Sequence, residues 1–120
     1  MMTVDRTEAF AKWLKKLKDR QAKAHILNHI DRMEDGNMGN IEPVGEGVYE
    51  KKINYGPGYR LYYCKHGSNW ILLLCGGNKS TQQADIDRAK ELKKIIAQQG
   101  GKERWLWKMQ MLADGMQRSF

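Results

Sequence analysis

The run of six apolar residues from Trp70 to Cys75 constrains the fold more than any other feature of this chain. A strand formed by this run has no polar face to turn toward water, so it must lie inside a sheet that is covered on both sides. The run is also far short of the roughly 18 apolar residues that span a bilayer. The sequence therefore predicts a layered domain built around a central strand.

The segments before this run have the pattern of paired strands. Residues 44–55 have strand composition but contain Gly45 and Gly47, which indicate a bulge or a tight bend. Gly56 to Gly58 is a strong turn signal, because a proline of fixed φ stands between two permissive glycines. Arg60 to Lys65 continues as a strand. An antiparallel sheet is therefore predicted.

The predicted register of the first hairpin divides its side chains between two faces. With the turn centred on Pro57, Asn54 lies opposite Arg60 and Lys52 lies opposite Tyr62. Alternation then gives a polar face and an apolar face, and the apolar face receives the N-terminal helices. The polar face comprises Lys52, Asn54, Arg60 and Tyr62, and the apolar face comprises Ile53, Tyr55, Tyr59, Leu61 and Tyr63.

The chain has two cysteines, and the next hairpin separates them. When that hairpin is centred between Gly67 and Ser68, Cys75 lies opposite Arg60, and Ile71 lies opposite Cys64. The cysteines are then not cross-strand partners, so no disulfide is predicted. The N-terminus shows no secretory signal, and the expected compartment is a reducing cytoplasm.

Helix signals flank the strands on both sides. Thr7 and Asp19 are plausible N-caps of two helices, and Gly36 suits the left-handed end of the second. Residues 2–6 are a candidate opening strand, and Ser80 to Gln83 matches a capping box for a third helix. The predicted class is α+β in the order β-α-α-β-β-β-α. Two N-terminal helices pack on a small twisted antiparallel sheet, and a C-terminal helix follows it.

The predicted domain spans residues 1–99, and residues 100–120 form a C-terminal extension. Within the extension an apolar stripe recurs at helical spacing, so the segment is predicted to be helical and accessory to the domain. The stripe consists of Trp105, Met109, Leu112 and Met116.

The charge balance points to a polyanionic partner. The formal net charge is +7, which favours RNA, DNA, the ribosome or an acidic protein segment. Residues 51–84 contain no Asp or Glu, and cations alternate there with four tyrosines and Trp70. This mixture suits contacts to phosphates and bases, although tyrosines also favour strands for structural reasons alone. The stretch cannot hold paired catalytic carboxylates, so proteases, zinc enzymes and glycosidases fit poorly; no cofactor or metal is predicted.

A glycine-rich segment links the central strand to the third helix. Gly76, Gly77 and Asn78 are predicted to form a turn that ends at Lys79. A helix N-terminus offers N–H groups and a positive dipole end, so Lys79 and this turn together can bind a phosphate. The alternative is a flexible glycine turn followed by a solvated lysine.

Four segments together resemble the toxins of bacterial type II toxin–antitoxin systems. They are Phe10 to Asp19, Val44 to Glu50, Tyr55 to Tyr63 and Leu72 to Gln82. The resemblance covers about residues 1–99 and is to the RelE/ParE superfamily, in its HigB-like branch of addiction module killer proteins (phage Gp49-like). It implies a RelE-like fold and a cognate antitoxin, usually of the helix-turn-helix type. On this interpretation the extension could instead occupy the groove where such antitoxins bind.

The resemblance leaves two activities open. RelE-like toxins cleave mRNA in the ribosomal decoding site, whereas ParE-like toxins inhibit DNA gyrase. The activity expected here is that of a ribosome-dependent mRNA interferase, which contacts operator DNA only through its antitoxin and has no membrane partner. In that reaction a ribose 2′-OH attacks its own 3′-phosphate and leaves a 2′,3′-cyclic phosphate and a 5′-OH.

The catalytic roles of RelE-type sites map onto Lys52, Arg60 and Lys79. Arg60 is expected to hold the phosphate, Lys79 to neutralise its charge and Lys52 to act as the general base. The last helix lacks the Tyr or His that several relatives use for proton transfer, and Tyr62 is the nearest substitute. Further RNA or phosphate contacts are predicted for Lys51, Asn54, Lys65, Asn78 and Gln82.

Overall fold

The structure is a computed structural model and describes residues 2–98. The extension at 100–120 and its apolar stripe lie outside the described residues. The elements are β1 (Thr3–Arg6), α1 (Glu8–Lys16), α2 (Arg20–Glu34), β2 (Ile41–Gly45), β3 (Val48–Ile53), β4 (Tyr59–His66), β5 (Trp70–Asn78), a 3-10 turn (Lys79–Thr81) and α3 (Gln82–Gln98). The predicted α+β class, with two N-terminal helices and a C-terminal helix around a small sheet, is confirmed. None of the helices in the described residues has the length and apolar character needed to cross a membrane.

The apolar run forms the central part of β5, as predicted. The strand order in the sheet is β1-β5-β4-β3-β2, and only the β1–β5 pair is parallel. Leu73 packs on one face, in a cluster with residues of α1 and α2 such as Phe10 and Ile26. Leu72 and Leu74 pack on the other face, in a cluster that includes Ala89 of α3. Both faces of β5 are therefore covered by helices.

The sequence-predicted helix starts agree with the structure at α1 and α2 but not at α3. The Thr7 hydroxyl accepts from Phe10 N at 3.0 Å, and the Asp19 carboxylate accepts from Gln21 N at 3.0 Å. The predicted cap at Ser80 is wrong. β5 continues to Asn78, whose side-chain oxygen accepts from Ser80 N at 2.9 Å. Asn78 therefore caps the 3-10 turn, and α3 begins only at Gln82.

The tight bend predicted at Gly45 and Gly47 is confirmed, and residues 44–55 comprise the end of β2, a turn and β3. Gly45, Glu46 and Gly47 all have positive φ, between 54° and 101°, and reverse the chain between the two strands. Glycine adopts this conformation without strain, which explains the two glycines in the turn. Lys93 of α3 donates to the Glu46 carbonyl at 2.9 Å, so the tip of this hairpin rests on α3.

The predicted registers of both hairpins are wrong, but the predicted faces of the first hairpin are right. Lys52 pairs with Arg60 and not with Tyr62, a difference of two residues that preserves the alternation. In the second hairpin Arg60 faces Gly77 and not Cys75, a difference of two residues. One residue arises at the hairpin, where Cys64 pairs with Leu72 and not with Ile71, and the other at a bulge in β5, where Tyr62 pairs with Cys75 but Tyr63 pairs with Leu73.

The cysteine thiols provide a test of this packing. Cys64 and Cys75 are both free and buried, and burial raises their pKa to about 11 and about 12. The thiolate is the reactive form, so we expect neither cysteine to react with a soluble thiol reagent near neutral pH in the native protein. Both should react at once in concentrated guanidinium. Rapid labelling of the native protein would contradict the packing of this sheet face.

Candidate functional site

Three neighbouring strands bring the predicted polar face together at one end of the sheet. Lys52 of β3 pairs with Arg60 of β4, and Arg60 pairs with Gly77 of β5. Tyr62, on the same face as Arg60, belongs to the cluster that packs against α3, whereas Leu61 belongs to the cluster beneath α1 and α2. The polar face therefore lies on the α3 side of the sheet, opposite the N-terminal helices, as the alternation predicted.

Arg60 and Lys79 converge on the turn between β3 and β4. The Arg60 side chain is 11% exposed, and its Nη1 donates to the Gly58 carbonyl at 2.9 Å. A Cβ at Gly58 would lie 3.4 Å from Arg60 Nη1 and 3.5 Å from Lys79 Cβ. The two cationic residues thus border the same glycine, whose φ of +80° suits a residue without a side chain. Lys79 itself is exposed. The Lys79 side chain therefore begins beside the Arg60 guanidinium, an arrangement that suits the binding of an anion at this turn.

A buried carboxylate lies beside Arg60. Glu50 of β3 is 1% exposed, and its Oε2 accepts from the Tyr62 hydroxyl at 3.0 Å and from Gln82 Nε2 at 2.8 Å. Arg60 Nε lies 3.6 Å from the same oxygen. The sequence analysis missed Glu50 because it stands one residue before the acid-free stretch. Strand alternation could have found it, since Glu50 is two residues from Lys52 and therefore on the same face.

The positions of Tyr62 and Gln82 change their expected roles. Tyr62 is fully buried, and burial followed by the charge of Glu50 raises the pKa of its phenol well above the usual value. A buried phenol that donates to Glu50 does not contact RNA, and this position does not support the predicted proton transfer by Tyr62. Gln82 likewise donates to Glu50 and is not directed at a ligand.

Lys52 is partly exposed at the edge of this face and forms an ion pair. Its Nζ lies 3.5 Å from Glu42 Oε2 on the neighbouring strand β2. While this pair is closed, the Lys52 ammonium group is engaged by Glu42 and not by a ligand. Asn54 is exposed just beyond β3, and the Asn78 side chain is engaged in its cap.

Lys51 and Lys65, for which phosphate contacts are predicted, do not lie with Arg60 in the structure. Lys51 is 1% exposed, and its Nζ donates to the Met38 carbonyl at 2.6 Å. Burial, and next the charge of Arg32, lowers the pKa of Lys51. Lys65 lies with its Nζ 4.6 Å from the centre of the Tyr49 ring. Both alternate with the polar-face residues along their strands, so they lie on the opposite face of the sheet from Arg60.

The glycines before Lys79 do not form the predicted turn. Gly76 and Gly77 lie within β5, in backbone conformations without positive φ. A Cβ at Gly76 would collide with the Trp13 ring, and a Cβ at Gly77 would collide with the Asp85 carboxylate. The two glycines therefore permit close packing on opposite faces of the strand, and the strand delivers Lys79 to the site at its end.

Comparisons with known proteins agree with the fold. Residues 12–96 match the model of a family described as phage-derived protein Gp49-like. A Haemophilus influenzae protein described as uncharacterized is 44% identical over 95 residues, which cover 79% of this chain and 92% of that protein. The structure resembles a chain in the crystal structure of the intact E. coli RelBE toxin–antitoxin complex. That match has a TM-score of 0.53 and 16% sequence identity, and it covers 65% of this chain and 96% of the other.

The family match spans more than half of the chain and includes β3, β4, β5 and most of α3, the elements that build the site. At 16% identity, the likeness to the E. coli chain concerns the fold alone. The chain therefore belongs to the Gp49-like family of phage-derived proteins.

Proposed function

We propose that this protein is the toxin of a type II toxin–antitoxin module and that it arrests growth as a ribosome-dependent mRNA endoribonuclease. The observation that carries the proposal is the convergence of Arg60 and Lys79 at Gly58, with Lys52 on the adjacent strand. The family membership and the fold shared with a chain of a toxin–antitoxin complex support it.

The proposed chemistry needs orientation and positive charge more than it needs many catalytic groups. The 2′-OH oxygen gives its proton to a base, the neutral amine of Lys52 or a water molecule, as it attacks the neighbouring phosphorus. The bond from phosphorus to the 5′ oxygen breaks, and that oxygen takes a proton from water. Arg60 binds two phosphate oxygens with its planar guanidinium, and Lys79 stabilises the charge that develops on them. The substrate carries its own nucleophile, so correct orientation supplies much of the rate.

We propose that Lys52 binds the phosphate as a cation, and that it serves as the general base only after its ammonium group has given a proton to solvent. The incoming phosphate competes with Glu42 for the Lys52 ammonium group, and the general-base role of Lys52 requires this ion pair to open. The ribosome would supply the mRNA geometry that the short site lacks. Asn54 and Asn78, at the ends of β3 and β5, are the remaining candidates for RNA contacts.

The proposed partner is a cognate antitoxin, of the helix-turn-helix type, that covers the Arg60–Lys79 site. Its DNA-binding part would provide the contact to operator DNA. An antitoxin segment with acidic side chains would complement Arg60, Lys79 and Lys52.

The second candidate function is inhibition of DNA gyrase without catalysis. The buried position of Tyr62 and the ion pair of Lys52 favour it, because both reduce the supply of proton-transfer groups. In that case the basic face would serve only for docking.

A pulse-induction experiment distinguishes the two functions. After induction without antitoxin, incorporation of labelled amino acids should fall before incorporation of labelled thymidine, and mRNA fragments with 5′-OH ends should accumulate. Lys15→Ala removes a lysine from the exposed side of α1, away from the site. It is the control for loss of a positive charge elsewhere on the protein and should remain toxic. If replication stopped first and no mRNA fragments appeared, the endoribonuclease proposal would be wrong and gyrase inhibition would be favoured.

A further inference from the structure

The charge of Glu50 is buried, and its surroundings show what holds it there. A buried carboxylate is costly unless nearby groups hydrogen-bond to it and balance its charge. Tyr62 and Gln82 donate to Oε2, and Arg60 is the cation beside it. Glu50 itself is 1% exposed, so it does not touch a ligand at the surface.

The same arrangement determines where the Arg60 guanidinium points. Its Nε edge faces Glu50 at 3.6 Å, and its Nη1 bonds to the Gly58 carbonyl at 2.9 Å. The hydrogen bond to Gly58 and the electrostatic attraction of Glu50 together restrain the orientation of the group from two sides. A guanidinium has five N–H groups, more than these contacts use, so a fixed plane presents the others in a defined direction.

Two polar atoms of this pair are buried without a hydrogen bond in the described part of the chain. Within residues 2–98, neither Arg60 Nε nor Glu50 Oε1 has a hydrogen-bond partner, although both are buried. A distance of 3.6 Å is an ion pair and is too long for a hydrogen bond. The electrostatic attraction therefore acts without a fixed hydrogen bond, and its strength depends on the carboxylate charge.

We propose that Glu50 is a positioning residue that orients Arg60 for phosphate binding, with Tyr62 and Gln82 holding the carboxylate in place. The inference rests on the proposed function for its catalytic consequence, but the contact itself is a property of this fold. Preorganisation of this kind removes the need to orient the guanidinium during the reaction. A base role for Glu50 is not part of the proposal, because the carboxylate is buried behind Arg60, Tyr62 and Gln82.

The decisive variant is Glu50→Gln, which keeps the shape and removes the charge. The Arg60 Nε–H exchange rate is measured by NMR on the full chain, with and without inorganic phosphate, and single-turnover cleavage is measured on ribosomes programmed with mRNA. We expect Nε–H exchange to rise at least about 10-fold and cleavage at saturating protein to fall by about 10- to 100-fold.

The matched control is Glu42→Gln, which removes the same charge from the exposed partner of Lys52. It should leave the Arg60 Nε–H exchange rate unchanged. The alternative is that Glu50 influences the site only through the net charge. Glu50→Gln and Glu42→Gln would then bind RNA more tightly to the same extent and cleave it at the same rate, and this result would overturn the proposal.

Tyr62→Phe is the second variant, in case Glu50→Gln does not fold. It removes only one hydroxyl that holds Glu50, so Arg60 Nε–H exchange should rise by a smaller factor. Unchanged exchange in both folded variants would refute the positioning role. If the wild-type protein cleaves no mRNA, the proposed function fails, while the exchange measurements still decide whether Glu50 orients Arg60.

Discussion

Arg60→Ala is expected to abolish growth arrest and also to lower the free energy of unfolding by about 3 kcal/mol. The functional loss follows from removing the one guanidinium at the centre of the site, and loss of such charge stabilisation typically costs about 100-fold or more in rate. The stability loss has a separate cause. Without Arg60, the buried Glu50 carboxylate keeps its hydrogen bonds but loses its nearby positive charge.

The double variant Arg60→Ala/Glu50→Gln separates these two effects. Removing the buried charge should restore most of the unfolding free energy, measured by urea denaturation, because the remaining groups are neutral. Growth arrest should not return. Arrest by the folded double variant would show that Arg60 is not part of the site. An Arg60→Ala variant as stable as the wild type would show that Glu50 is not held by Arg60.

Lys79→Ala serves as the comparison for this pair of variants. Lys79 is exposed and lies in the 3-10 turn, so its truncation should change the unfolding free energy by no more than about 0.5 kcal/mol. Growth arrest should nevertheless be strongly reduced, because Lys79 borders the same glycine as Arg60. Arg60→Ala and Lys79→Ala together would show that Arg60 contributes to both stability and growth arrest, whereas Lys79 contributes to growth arrest alone.

Sequence alone predicted the faces of the first hairpin because the error in its register was an even number of residues. The first hairpin was displaced by two residues, and an even displacement leaves every side chain on its predicted face. The same rule places Lys51 on the helix face and Glu50 beside Arg60. The charge composition of residues 51–84 led to wrong expectations at both positions, because it does not show on which face of the sheet each side chain lies. Lys51 was expected to contact phosphate, and Glu50 was overlooked.

The helix caps, which depend on local hydrogen bonds, were predictable from the sequence. The end of β5, which depends on packing against distant residues, was not. Thr7 and Asp19 each cap a helix through contacts to residues two or three positions ahead, which a short stretch of sequence determines. The end of β5 depends instead on what its glycines contact. Trp13 and Asp85 come from α1 and α3, so no local pattern could show that the strand continues to Asn78.

The packing of β5 leads to the second large effect, which is on stability. Gly76→Ala is expected to lower the free energy of unfolding by about 1–3 kcal/mol, because the added methyl group meets the carbon atoms of the Trp13 ring. Gly76 has no positive φ, so backbone strain does not contribute to this loss. The cost comes from moving an aromatic ring that packs against Phe10, with ring centres 5.5 Å apart, and against the core beneath α1.

A double-mutant cycle tests this cause. In a Trp13→Leu background the ring atoms are gone, and the cost of Gly76→Ala should fall by at least about 1 kcal/mol. Gly77→Ala is the matched control on the opposite face, where its methyl group meets the Asp85 carboxylate. Its cost should not change with Trp13→Leu. Equal coupling of Trp13 to both glycines would mean that the two faces of β5 are not packed independently, and the explanation of the paired glycines would fail.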